Sequence, residues 1–267
     1  MLACTLEATA KKPGNVHPDA SFSDLCYADF LAGAAAMRPT LDRVSEIGVG
    51  AAVLECVRAT RALTKTNVNL GMALLLAPLA AVTPSEPLRT GIGGVLGRLT
   101  VDDTRRVYGA IRWAQPGGLG RVDDQDVADE PTEDLCAVMR RAADRDLIAR
   151  QFTNNFREVF WGASLLTSPA AERLNWDQAI VWCQLEYMAN FPDTLIARKC
   201  GVAEAQESAQ RAAAVLAAEW PATPDARRRL VELDQWLRAR GHDRNPGTTA
   251  DMIAACLYVV LHENRLG

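Results

Sequence analysis

No long stretch of this sequence alternates apolar and polar residues, and that absence constrains the fold more than any other feature. A half-buried strand needs a period of two. Here the apolar residues recur every three to four positions nearly throughout, and alanine and leucine, both strong helix formers, are abundant. The spacing predicts helices over 23–37, 43–65, 68–82, 101–114, 133–161, 175–190, 203–219, 224–240 and 248–265. Several open on a capping residue. Ser23 precedes "DLCYADF", Asn175 precedes "WDQAIVW", and Thr100 precedes "VDDTRRVYGAIRWA" with Asp102 and Asp103 in the first turn, where the helix dipole favours negative charge. Pro116-Gly117-Gly118, Pro192, Pro221 and "GHDRNPG" (241–247) punctuate the pattern. No repeat, linker or low-complexity segment divides the chain. One all-α domain over 1–267, a compact multi-helix bundle, is the expected architecture.

Charge and cysteine usage narrow the function. With 29 Lys+Arg against 33 Asp+Glu the formal charge is -4, so global attraction to nucleic acid or anionic lipid is not expected and any anion site is local. The most apolar run, "LGMALLLAPLAAV" (70–82), is too short to span a bilayer and holds Pro78. The start, "MLACTLEATAKK", lacks the basic-then-apolar order of a secretion signal. The seven cysteines are scattered without a CxxC pair, which fits buried thiols in a reducing cytoplasm.

Four loops combine turn residues with hydrogen-bonding groups. "KKPGNVHP" (11–18) sets Lys12, Gly14 and Asn15 on one bend. "TKTNVNLG" (64–71) places Asn67 and Asn69 beside Gly71 at a helix start. "AQPGGLG" (114–120) carries Gly117 and Gly118. "RNPGTTADM" (244–252) puts Gly247, Thr248, Thr249 and Asp251 in the opening turn of the last helix. Glycine turns and unpaired N–H groups at helix starts are ready phosphate sites. No GxxxxGK[ST] or strand-borne GxGxxG occurs, which disfavours both common nucleotide folds.

Two further segments set charge among apolar residues. "RRAADRDLIARQF" (140–152) holds Asp144, Arg145, Asp146 and Arg150, with Asp146 and Arg150 spaced as a helical i,i+4 pair. "NFPDTLIARKCG" (190–201) places Asp193, a helix cap or a ligand, ahead of Arg198 and Lys199. The acidic stretch 121–134 lacks the glycine and closing glutamate of a calcium loop and reads as a solvated loop, with Asp124 or Asp126 at most an indirect contact.

These motifs, in this order, resemble the triphosphoribosyl-dephospho-CoA synthase family. The similarity runs from "EATAKKPGNVHP" through "FSDLCYADF", "TNVNLG", "PGGLG", "AADRDLIARQ" and "FPDTLIARK" to "NPGTTADMIAA". The resemblance implies an all-α, ATP-using transferase. It would move a triphosphoribosyl group to the 2′-hydroxyl of 3′-dephospho-CoA and release adenine. One motif departs: Asn67-Val68-Asn69-Leu70-Gly71 stands where the best-known members carry Asn-Thr-His-Lys-Gly. That variant is similar to a divergent branch in methanogens, methylotrophs and planctomycetes. It leaves open a different acceptor in a pterin or one-carbon cofactor pathway, or a non-catalytic nucleotide or coenzyme binder.

The resemblance implies roles. Lys12, Gly14, Asn15, Asn67, Asn69, Gly71, Gly117, Gly118, Arg198, Lys199, Gly247, Thr248 and Thr249 would contact the nucleotide and its phosphates. Asp144 and Asp146 would serve as base or as Mg²⁺ ligands with Asp251, steadied by Arg145 and Arg150. Glu7 is a further carboxylate, and His17 would donate the proton to adenine. Partners would be ATP and dephospho-CoA or a related acceptor, and the apolar helix faces allow a homodimer.

Overall fold

Capping side chains set the helix starts that the sequence locates best. Thr100 accepts the Asp103 N–H while the Asp103 carboxylate takes the Thr100 N–H at 2.8 Å, and Asn175 and Gln178 reciprocate in the same way. The computed structural model describes residues 1–64, 66, 68–117, 120 and 124–263. Its first half runs α1 (Leu2–Thr9), α2 (Tyr27–Leu41), α3 (Val44–Ile47), α4 (Val49–Leu63), α5 (Leu70–Ala80), α6 (Leu88–Leu96) and α7 (Val101–Ala114). Then follow α8 (Leu135–Ala142), α9 (Leu147–Gln151), α10 (Arg157–Leu166), α11 (Trp176–Asn190) and α12 (Thr194–Cys200). The chain closes with α13 (Val202–Ala217), α14 (Pro224–Arg238) and α15 (Gly247–Glu263). Among the described residues the only β pairings are two isolated bridges, His17 with Ala20 and Phe22 with Leu25. The fold is all-α, as the period requires.

The departures have local causes. The predicted helix 43–65 is two helices, because Gly48 sits at φ 85, closing α3 through a bond to the Val44 carbonyl and starting α4. The predicted helix 133–161 is three. Asp146 stands in extended geometry and caps α9, and Asn155 and Phe156 take φ 57 and φ 60 before α10. The predicted start at Ser23 falls instead at Tyr27, with Cys26 as cap and Asp29 reaching back to its N–H. Helix α6 is unmarked by periodicity because its glycines lower helix propensity. Gly91 is there for contact: a Cβ on it would lie 2.4 Å from Val82 Cγ1.

Two apolar cores share α11. Ile180, Cys183 and Tyr187 belong to the larger core, while Val181, Leu185 and Met188 pack with Ile196, Val215 and Leu237 in the smaller one. A helix buried on opposite sides needs apolar residues all round, which α11 has. Helix α5 is likewise buried except at Gly71 and Ala80. Helix α15 lies against α1, α5 and α10. The cysteines are free thiols; Cys4, Cys56, Cys183 and Cys256 are buried, but Cys26 is exposed. No described helix is long and apolar enough to cross a membrane.

Candidate active site

The bend at 11–16 is a buried brace. Lys12 is fully buried, its ammonium 2.9 Å from Glu7 Oε1 and donating to the Glu7 carbonyl at 2.5 Å. Gly14, at φ 77, donates its N–H to Asp234 Oδ1 at 2.8 Å, and a Cβ there would meet Leu237 Cδ1 at 2.7 Å. Asn15 donates to Asn245 Oδ1 at 2.6 Å and accepts from Gln184 Nε2 at 2.9 Å. These groups tie the first loop to α11, α14 and the approach to α15. Lys12 and Gly14 are therefore committed within the protein rather than to phosphate; Asn15 reaches the site's edge with its amide already engaged.

Behind this brace lies a cavity of about 1040 Å³. Its walls come from the starts of α5, α9, α12 and α15, the segment 24–30, and the loop between α7 and α8. Among the carboxylates on its walls are Glu7, Asp146 and Asp251, with Asp24, Asp124, Asp126 and Asp243 beside the loops. Glu7 is 2% exposed, and its Oε2 has no hydrogen-bond partner among the described residues. Burial raises the Glu7 carboxyl above its ordinary range, partly offset by Lys12. Asp251 is held well above the carboxylate range, first by burial and then by the charges of Glu7, Asp193 and Asp146. Gly71 makes that placement possible. A Cβ at Gly71 would fall 2.0 Å from Asp251 Oδ2, so the carboxylate rests directly on the first turn of α5.

Cationic and neutral donors border the same space. Arg198 sits 3.5 Å from Asp146 Oδ2 and donates through Nε to the Gly117 carbonyl at 3.1 Å. Lys199 donates to the His242 carbonyl at 3.3 Å, and burial lowers its pKa. Arg145 and Arg141 line the cavity beside them, with Arg141 paired to Asp124 at 2.5 Å. Tyr108 donates to the Gln125 carbonyl at 2.5 Å, and its phenol is pushed up to about 12, mainly by burial. Of the sequence candidates, the cavity gathers Glu7, Asn15, Asn69, Gly71, Gly117, Arg145, Asp146, Arg198, Lys199, Gly247, Thr248 and Asp251.

Other candidates lie elsewhere. Asp144 is exposed and outside the cavity. Arg150 does not pair with Asp146, because the residue capping α9 cannot share a helical face with it; Arg150 Nε bonds the Ala143 carbonyl at 3.1 Å instead. Asp146 Oδ1 accepts from Ile148 and Ala149 at 2.9 and 3.1 Å. His17 does not reach the cavity: its Nδ1 accepts the Asp19 N–H at 3.3 Å, and burial lowers its pKa. Thr249 gives both its N–H and its hydroxyl to buried Asp193 at 2.8 Å. Asp193 also caps α12, which settles it as a strut joining α12 to α15. Asn67 and Gly118 fall outside the described residues. Among the described residues no group of three or more His, Cys, Asp or Glu could hold a metal ion, so Asp144, Asp146 and Asp251 do not form the expected cluster.

The structure adds residues that the sequence left as punctuation. His242, in the "GHDRNPG" turn, lines the cavity with Nδ1 3.2 Å from Asp24 Oδ1. The acidic loop is more than solvated surface: Asp124, Gln125 and Asp126 form a wall, and Asp126 is 8% exposed with Oδ1 capping Ala128 at 2.8 Å.

A large cavity in which carboxylates and cationic side chains converge defines a small-molecule site in an all-helical protein. The comparisons make that class specific. Residues 1–267 match the family described as ATP:dephospho-CoA triphosphoribosyl transferase, and the chain belongs to that family. A crystal structure of a candidate triphosphoribosyl-dephospho-CoA synthase from Archaeoglobus fulgidus superposes with a TM-score of 0.66 at 25% identity, covering 87% of this chain and 98% of that one. Comparison with curated proteins gives no match. The chain is a transferase of the triphosphoribosyl-dephospho-CoA synthase type.

Proposed function

We propose that the triphosphoribosyl transfer takes place in the cavity walled by α5, α9, α12 and α15, with Asp251 and Glu7 moving the proton. The reaction breaks the N-glycosidic bond between adenine and the ribose C1′ of ATP and forms a bond from C1′ to the acceptor's 2′-hydroxyl oxygen. One proton leaves that hydroxyl and one arrives on adenine. Carboxyl groups whose protons are held more tightly by burial can both give and take a proton, as this exchange requires. The observation that carries the reading is Glu7 Oε2, buried and without a hydrogen-bond partner among the described residues, on the cavity wall that also carries the raised carboxyl of Asp251. Asp251 protonates the departing adenine, and the resulting carboxylate pair accepts the proton of the incoming hydroxyl.

Arg145, Arg198 and Lys199 then hold the triphosphate at the cavity border. Mg²⁺ is to be expected on a triphosphate. With no three-residue site among the described residues, its ligands would be phosphate oxygens completed by Asp146, where it would neutralise charge. The purified protein should release free adenine from ATP and Mg²⁺ when 3′-dephospho-CoA is present. Tight ATP binding without adenine release, whatever hydroxyl acceptor is supplied, refutes the reading.

A second acceptor has one observation in its favour. Asn69 gives its amide to Thr60 Oγ1 at 2.6 Å and Leu70 is buried, so this wall lacks the histidine and lysine of the best-known members. Adenine release with a pterin precursor, and none with dephospho-CoA, would select that acceptor while keeping the same chemistry.

A further inference from the structure

A second, shallower groove of about 430 Å³ lies between α4 and α7. It is lined by Arg58, Arg61, Gly109, Arg112, Trp113 and Gln115, and none of these described lining residues is acidic. In a chain of net negative charge, Arg58 and Arg112 beside the exposed Trp113 make this groove locally cationic among the described residues. Trp113 is 52% exposed, an uncommon position for an indole in a soluble protein. The Arg58 guanidinium lies over its ring, 5.7 Å from the centroid. Flat ring, planar cations and open space are what a phosphorylated nucleotide requires.

The groove also adjoins the main cavity at one residue. Gln115 borders both, in a left-handed turn at φ 49, ψ 56 that ends α7. Arg112 donates to the Val127 carbonyl at 2.5 Å, and Val127 is itself part of the cavity wall. A ligand larger than ATP, reacting in the cavity, would pass Gln115, which borders both spaces, to reach the arginines.

We propose that the Arg58–Arg112–Trp113 groove is the subsite for the diphosphate-bearing arm of the acceptor, the part remote from the reacting hydroxyl. The assignment rests on the transfer reading given above for what it calls the acceptor. ATP, held by Arg145, Arg198 and Lys199, does not use this groove.

The test is steady-state adenine release with 3′-dephospho-CoA by R58Q, R58K and W113A, together with calorimetric binding of 3′-dephospho-CoA to each. Arg58 and Trp113 are exposed and outside both cores, so these variants keep the fold. R58Q and W113A should raise the KM and Kd for 3′-dephospho-CoA roughly tenfold, the loss of one charge-assisted or stacking contact, while the KM for ATP and kcat stay within twofold. R58K should recover part of the loss, since it keeps the charge but not the fork. Unchanged acceptor KM and Kd in both R58Q and W113A overturn the proposal, as does an equal rise in the ATP KM. Dissociation of a dimer by W113A without an acceptor effect also overturns it, in favour of a contact between copies. If the wild-type protein releases no adenine, the transfer reading fails; the change in 3′-dephospho-CoA Kd on R58Q still decides the groove.

Discussion

Replacing Gly71 by alanine adds one methyl group at the point where the fold and the proposed chemistry meet. The new Cβ would lie 2.0 Å from Asp251 Oδ2, 2.5 Å from Asp251 Cγ and 2.8 Å from Ile148 Cδ1. The carboxylate must therefore retreat by about 1 Å to reach even a tight contact. Overpacking of this kind costs about 1–3 kcal/mol, against which alanine's better helix propensity returns at most about 1 kcal/mol. The net effect on stability is small, but the displaced group is the proposed proton carrier, and a misplacement of about 1 Å can lower a rate about 100-fold. G71A should thus release adenine roughly 100-fold more slowly than wild type, with a Tm within a few degrees. A double-mutant cycle isolates the cause. In a D251A background only the close contact with the flexible end of Ile148 remains, so most of the stability cost of G71A should vanish, giving a coupling of about 1–3 kcal/mol in urea unfolding. Wild-type activity in G71A, or zero coupling between the two positions, refutes this reasoning.

Three other outcomes follow from the same geometry. Lys12→Met strips the buried Glu7 of its countercharge and should lower stability by about 3–5 kcal/mol in urea unfolding, and the E7Q/K12M pair should regain much of it. Thr249→Val removes a hydroxyl donor from buried Asp193 and should cost about 1–3 kcal/mol, with T249S near wild type by the same assay. Asp251, raised by burial and by neighbouring carboxylates, binds its proton more tightly folded than unfolded. Its contribution is full below the unfolded value near pH 4 and is lost as pH rises through the folded value, so D251N should gain Tm over wild type increasingly from pH 5 to pH 8. A gap that narrows with pH contradicts the raised carboxyl.

The sequence exposed what depends on local signals. Thr100 and Asn175 located α7 and α11 because a cap and its partner lie within four residues of each other. The sequence did not reveal where one long helical pattern breaks, because Asp146 reads equally well as an interior charge and as the cap it is. The site was legible in part. Gly71 and Asp251 stood out at helix starts, Asp146 and Arg198 as charges set among apolar residues, and the cavity gathers all four. Lys12 was misplaced for a physical reason: a lysine beside a Pro-Gly turn looks solvated, and only the tertiary fold supplies the buried Glu7 that neutralises it. His242 was hidden because its contact, Asp24, lies at the other end of the chain.

Single-turnover adenine release by D251N tests the central claim most directly, with ATP affinity measured in parallel. The account predicts a fall of about 100-fold or more in the rate of glycosidic cleavage, the usual scale for losing a positioned proton carrier, with ATP affinity nearly unchanged. A D251N enzyme that cleaves ATP at the wild-type rate would place the chemistry elsewhere in the molecule.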